Sequence, residues 1–418
     1  MVEKVVSLSL LMLVSIIVAR HLGPESYGTL SYAISLATLF TIATHLGLHG
    51  LAIRELVTYP DDHRTTLGTI FYLKLLGALL AIVVYLGFVI STEQIASVEF
   101  WVMLLASGLI LFKPFEVFDF WFQAQVKAKY SAMARGIATI LFALLCTILV
   151  ITSAQVIAFA KAYFVQALLI GTLFLLFFRS VSLLPLKELT FRLSRAKGLV
   201  RQSWMIMLGA LFAMVYLKVD QIMLRWLVSA EEVGIYSVAA RLSETWYFIP
   251  TLIVASIFPK LIELRQDNYE RFQKRLQQLF DLLFSMALLL AFVVTFISEP
   301  LITILYGIEY KGAALILSIH IWAGIFIFMR AAFSKWILIE DAISFSMITQ
   351  GLGALFNILL NILLIPVWQG IGAATATIIS YAIASYLSLV FYKKSRPVFW
   401  MMSKAMISPL RYVYGLLK

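Results

Sequence analysis

The chain has a single cysteine, Cys146, in 418 residues. One thiol forms no internal disulfide, and a metal or redox centre needs further ligands at matching spacing. Within the apolar run 141–149, Cys146 reads as a small buried hydrophobe. Histidine is scarce too, and His21, His45, His49, His63 and His320 show no metal-ligand spacing. There is no GxxxxGK[ST] segment, which excludes an ATP site of that type. No nucleophile arrangement or DxD-like pair falls in a loop, so neither a cofactor nor a metal is expected. Charge is the most telling deficit. Only 13% of residues are Asp, Glu, Lys or Arg, about half the roughly 25% of a soluble domain.

What is present in excess is hydrocarbon: 62% of the residues are hydrophobic. Water-soluble packing does not hide that much apolar side chain, so the solvent is largely lipid. A helix crosses the hydrocarbon with about 20 residues. Apolar windows between Gly, Pro and charge breaks predict twelve crossings, near 5–22, 28–48, 67–90, 99–122, 133–152, 156–178, 204–227, 234–259, 279–298, 313–339, 344–365 and 371–391. No small-residue cleavage site precedes Arg20, so the first run reads as a retained crossing. The segment 18–33, with Pro24, Gly23 and Gly28, reads as the short turn after it, Glu25 and Ser26 capping the next helix.

The 33 Lys and Arg residues distribute unevenly over this frame. Of these, 24 fall in connections on the side of the N-terminus, three (Arg20, Arg225, Lys311) on the other, and six (Lys74, Lys113, Lys161, Lys218, Arg241, Arg330) inside crossings. That asymmetry is a positive-inside signal, placing both termini in the cytoplasm. It also accounts for the net charge of +11 without nucleic-acid binding. The sequence therefore divides into a six-helix bundle (1–178), a basic cytoplasmic linker (179–203), a second six-helix bundle (204–392) and a basic amphipathic tail (393–418) lying on the inner leaflet.

The halves echo each other. A shift of 206 aligns Glu25 with Glu231, Gly28 with Gly234, Ser31 with Ser237 and Ala33 with Ala239. A shift of 215 aligns Phe118 with Phe333, Trp121 with Trp336, Ser131 with Ser346 and Gly136 with Gly351. Six crossings per half give both halves the same orientation. The expected fold is thus an all-α polytopic membrane protein of two parallel six-helix bundles, related by a pseudo-twofold axis along the membrane normal. Transporters with a substrate path between the halves use this plan.

Charges inside crossings face a cavity or a partner. Lys113, Glu116, Asp119 and Gln123 fall within an arc of about 120° at 100° per residue, which gives the fourth crossing a polar face. Arg241 and Glu244 share a face of the eighth crossing, and Arg330 lies in the tenth at a depth like that of Lys113. Lys218 and Asp220 point to nearly opposite sides of the seventh. Lys74 and Lys161, near crossing ends, read as snorkelling or ion-paired residues. The cations Lys113, Lys218, Arg241 and Arg330 suit an anionic, phosphate-bearing substrate. Glu116, Asp119, Asp220 and Glu244 beside them are candidates for ion pairs or for carrying a coupled proton or sodium ion.

The block ARHLGPESYGTLSYAISLATLFTIATHLGLHGLAIREL (19–56) resembles the opening signature of the polysaccharide biosynthesis flippases. These belong to the multidrug/oligosaccharidyl-lipid/polysaccharide exporter superfamily. VDQIMLRWLVSAEEVGIYSVAARLSETWYFIPTLIVASIFPKL (219–261) is similar to that family's seventh and eighth crossings. The resemblance implies a cation-lined cavity and alternating-access transfer of an undecaprenyl-diphosphate-linked oligosaccharide repeat unit to the outer leaflet, for O-antigen or capsule synthesis. It implies a bacterial inner-membrane location, membrane lipids around the protein, and an O-antigen polymerase and chain-length regulator as candidate partners. It carries cavity membership over to Asp220 and Arg241. A drug or cation antiporter of the same superfamily is the alternative, against which the basic lumen argues. A membrane glycan polymerase or ligase is disfavoured because the outer connections are short.

Overall fold

In hydrocarbon the backbone must satisfy its own hydrogen bonds, so long apolar runs become helices. The computed structural model describes residues 2–182 and 184–409, and over these the chain forms helices and turns with no strand. The side chains of residues 2–5 also lie outside this description, so Lys4, Arg411 and Lys418 of the positive-inside count fall there, as does the end of the tail.

The chain clusters into two compact units, Met1–Met214 and Val215–Lys418. The first contains α1 (Val2–Phe40), α2 (Ile42–His45), α3 (His49–Thr58), α4 (His63–Thr92), α5 (Val98–Ala106), α6 (Gly108–Leu111), α7 (Val117–Ala124), α8 (Ala128–Ile151) and α9 (Val156–Val181). Helix α10 (Leu193–Leu227) runs through the boundary and starts well before the expected 204. The second unit continues with α11 (Ala230–Glu244), α12 (Phe248–Asp267), α13 (Tyr269–Tyr306), α14 (Ala313–His320), α15 (Ala323–Ile339), α16 (Ile343–Ser385) and α17 (Arg396–Met406).

Ten helical stretches among the described residues are long and apolar enough to cross a membrane. Two of them, Val6–Thr58 and Ile343–Phe391, are too long for one crossing: 49 helical residues would extend about 74 Å against a hydrocarbon core of about 30 Å. Each contains a residue outside the helical region, Gly23 (φ 72°) and Gln369 (φ 50°). The chain folds back at both. Ser15 and Tyr27 would stand about 18 Å apart along a straight helix, yet their hydroxyls are 2.9 Å apart. A Cβ on Gly372 would likewise overlap the carbonyl of Leu364. With these two reversals the ten stretches supply the twelve expected crossings.

The internal repeat is visible in backbone detail. Val126 (φ 55°) and Asp341 (φ 51°) both adopt the left-handed conformation, and they are related by the shift of 215. Around them the same helix-ending bonds recur. Lys127 N–H donates to Phe122 O (2.7 Å) and Ala342 N–H to Ile337 O (2.9 Å), while Gln125 pairs with Trp121 and Glu340 with Trp336. Phe118 and Trp121 anchor the buried core of the first unit, and Phe333 and Trp336 that of the second. Tyr130 lies against Phe177 as Phe345 lies against Tyr392, again at a shift of 215.

Ion pairs join connections that the charge asymmetry assigns to one membrane side. In the first unit Arg195 bonds Asp62 (2.6 Å) and Glu55 (3.1 Å), and Arg64 bonds Glu188 (2.7 Å). In the second, Arg265 bonds Glu340 (2.6 Å). Helix α17, from the amphipathic tail, buries Val398, Met402 and Ala405 in the second unit's core and leaves Trp400 exposed.

Candidate anion-binding cavity

The polar face of the fourth crossing is shaped by a break in its helix. Pro114 cannot donate a backbone hydrogen bond, and residues 113–116 tighten into a 3-10 turn between α6 and α7. With three residues per turn, positions i and i+3 eclipse. Lys113 Nζ therefore stands directly over Glu116 and donates to Oε1 at 2.6 Å. One turn onward in α7, Asp119 Oδ2 accepts from Gln123 Nε2 (3.1 Å) and from Arg135 of α8 (2.6 Å).

These groups line a cavity of about 980 Å³ inside the first unit, together with His45 and His49, Ser7 of α1, Lys129 and Ser131 of α8, and Gln166 of α9. Lys113, Glu116, Asp119 and Gln123, assigned to one face by their spacing, all border it. Two further cations belong to the cluster although their sequence positions concealed them. Arg135 falls among the basic residues next to a predicted connection, and nothing in its neighbourhood marks it as the partner of Asp119. Lys74 reads as a residue near a crossing end, but α4 is long enough to bury it fully. Its Nζ makes no hydrogen bond, lies 3.8 Å from Glu116 Oε2, and sits 5.0 Å from the Phe120 ring centre.

The charges of the second unit are arranged differently. Lys218 and Asp220 on α10 bond different partners, both reaching residues of α11. Lys218 Nζ donates to Glu244 Oε2 at 3.3 Å, so Glu244 finds its partner on another helix. Arg241, beside it on α11, is partly buried. Asp220 is buried and accepts three hydrogen bonds: Tyr236 Oη (2.7 Å), Asn361 Nδ2 (2.6 Å) and Thr377 Oγ1 (2.5 Å). Asn361 and Thr377 come from the two limbs of α16, on either side of Gln369. Arg330 is buried on α15 and donates to Ser346 Oγ (3.0 Å), Thr349 Oγ1 (3.3 Å) and the Ala384 carbonyl (3.0 Å), with its guanidinium over Phe333. It thereby ties α15 to both limbs of α16, without a carboxylate. Among the described residues no three His, Cys, Asp or Glu side chains converge as a metal cluster would.

A helical membrane protein with this repeat and this cluster invites comparison with known proteins. The family model described as "Polysaccharide biosynthesis protein" matches residues 2–265, well over half of the chain. The chain belongs to the polysaccharide biosynthesis protein family. This is the flippase branch of the multidrug/oligosaccharidyl-lipid/polysaccharide exporter superfamily, and a second model, MatE, matches residues 205–363. A probable flippase, AglR, of Haloferax volcanii is 25% identical over 389 residues, covering 90% of this chain and 78% of the relative. Among solved structures, the lipid II flippase MurJ in an inward closed conformation superposes with a TM-score of 0.72 at 15% identity, over 99% of this chain and 92% of that one. An inward-facing multidrug resistance MATE family transporter superposes at 0.69 with 14% identity, over 95% and 96% of the two chains. These superpositions establish the fold of a multi-pass membrane transporter of this superfamily.

Proposed function

We propose that this polysaccharide biosynthesis family protein transfers an undecaprenyl-diphosphate-linked oligosaccharide repeat unit from the inner to the outer leaflet of the bacterial cytoplasmic membrane, by alternating access, for O-antigen or capsule synthesis. The observation that carries this reading is the cavity of the first unit, in which Lys113 and Arg135 each hold a carboxylate at 2.6 Å. Glu116 and Asp119 stand where the two phosphates of a diphosphate would stand, and the arriving anion displaces them. Glu116 then turns to Lys74, already 3.8 Å away, so the buried ammonium gains a partner as the cavity loses one. Cations held this way bind a diphosphate without trapping it, because the carboxylates compete for the same donors. The names of the flippase relatives support a lipid-linked cargo.

In the second unit we assign Lys218 and Arg241 to the substrate path. Asp220, with Asn361 and Thr377, takes the coupling role for a proton or sodium ion, and Arg330 positions the two limbs of α16. Both termini face the cytoplasm, and the polymerase and chain-length regulator of the pathway act after transfer. The test is deletion of the gene in its host, with leaflet exposure of the glycan lipid followed by a membrane-impermeant label. The glycan lipid accumulates on the inner leaflet, and wild type restores export while Lys113→Gln/Arg135→Gln does not. Normal outer-leaflet exposure in the deletion strain overturns the proposal.

A second reading, a drug or cation antiporter, draws on the MatE match over residues 205–363. It predicts that the deletion strain becomes drug-sensitive with glycan export intact.

A further inference from the structure

Helix α13 is 38 residues long, longer than one crossing requires, and its outward face changes character along its length. At 100° per residue, Arg271, Lys274, Arg275 and Gln278 fall on one stripe, continued by Leu282, Leu289, Val293 and Phe296. Leu282, Leu289, Val293 and Phe296 are exposed along this stripe, while Phe272, Leu276, Leu279 and Leu283, about 110° around the helix, are buried in the second unit's core. The stripe is therefore cationic for its first two turns and apolar beyond.

The cationic end is concave. Arg271, Lys274, Arg275 and Gln278 of α13, with Lys260 and Leu264 of α12, enclose a cavity of about 450 Å³. Lys260 Nζ bonds Glu263 (2.5 Å), and Arg275 donates to Gln278 Oε1 (3.0 Å). Among the described residues no ion pair is formed by Arg271, Lys274 or Arg275, and the neighbouring acids Asp267 and Glu270 do not line the cavity. Three positive charges thus converge with no counter-ion. From Arg275 to Leu282 the helix advances about 10 Å, on the scale of a headgroup layer, roughly 5–8 Å per leaflet.

We infer that this cavity is a binding site for an anionic glycerophospholipid, whose phosphate sits among Arg271, Lys274 and Arg275 and whose acyl chains lie along Leu282, Leu289, Val293 and Phe296. A free phosphate would use the three cations and ignore the apolar stripe; a lipid uses both, and basic pockets between membrane helices are suited to acidic headgroups. This assignment stands independently of the transported cargo.

The experiment is native mass spectrometry of the full-length protein released from nanodiscs of mixed phosphatidylglycerol and phosphatidylcholine. Wild type retains phosphatidylglycerol in preference to phosphatidylcholine, and Arg271→Gln/Lys274→Gln/Arg275→Gln reduces that preference by about 100-fold, the scale expected for three basic side chains at an anionic surface. Leu289→Gln/Val293→Gln, which leaves every cation in place, also weakens retention. An undiminished preference in the triple variant overturns the inference. So does displacement of the lipid by millimolar inorganic phosphate, which would make the site one for free anions.

Discussion

The two units carry buried charge in opposite ways. In the first, cations and carboxylates face one another across an open cavity, and Lys113, Glu116 and Arg135 all keep part of their surface exposed. In the second, Asp220 and Arg330 are both buried, and each is satisfied by hydroxyl, amide or carbonyl groups. Ion pairs beside water exchange partners readily and add little to stability. A buried carboxylate with three donors has no other side chain to turn to, and the helices that supply those donors are held together through it. The same superfamily plan thus holds an exchangeable polar cluster at the cavity of the first unit and, beside the partly exposed Lys218–Glu244 pair, a locked network at Asp220 and Arg330 in the second.

Substitutions that separate function from stability test this contrast, and the largest effect belongs to the exchangeable cluster. Lys113→Gln/Arg135→Gln should slow flipping of a fluorescent polyprenyl-diphosphate saccharide in proteoliposomes by about 100-fold or more, since each charge-assisted hydrogen bond contributes about 1.5–3 kcal/mol. Its thermal unfolding should stay close to that of the wild type. Next comes Asp220→Ala, which leaves the buried Asn361 amide only its 3.2 Å bond to Asn357 and the Tyr236 hydroxyl only its 3.4 Å contact with Thr377. A loss on the order of 3 kcal/mol should lower the melting temperature by about 6 °C or more. Equal melting of these two variants would erase the distinction between the clusters. Arg330→Met keeps most of the side-chain volume, and the acceptors it leaves are two hydroxyls and the Ala384 carbonyl, which also accepts from Ser388. It should cost about 1–2 kcal/mol. Lys311→Gln removes an exposed pair with Glu299 and should change stability by less than about 1 kcal/mol.

Twelve crossings and the repeat at 215 are legible in the sequence because both rest on strong periodic signals: apolar length, and bulky aromatics returning at one spacing. The polar face of the fourth crossing is legible for the same reason. Its sharpest feature, the Lys113–Glu116 pair, depends on the turn at Pro114, which makes positions three apart eclipse instead of diverging. Lys74 and Arg135 were hidden because depth in a membrane depends on how far a helix extends past the hydrophobic window. Two of the three partners of Asp220 lie more than 100 positions away and are uncharged, so neither hydropathy nor charge spacing marks Asn361 or Thr377. The reversals at Gly23 and Gln369 differ in the same respect: glycine followed by proline marks the first at the very residue that turns, whereas Pro366 and Gly370 mark the break at the second but no residue preference singles out Gln369 as the one with positive φ.

The central claim is that Glu116 and Asp119 hold the place of a diphosphate, and it is tested most directly by titrating the purified protein with farnesyl diphosphate. Glu116→Gln, which frees Lys113 without removing a cation, should tighten binding by about 10-fold, the scale of one charge-assisted hydrogen bond. Lys113→Gln should weaken it by a similar factor. Weaker binding in both variants would contradict the account, because the carboxylate would then support the ligand instead of competing with it.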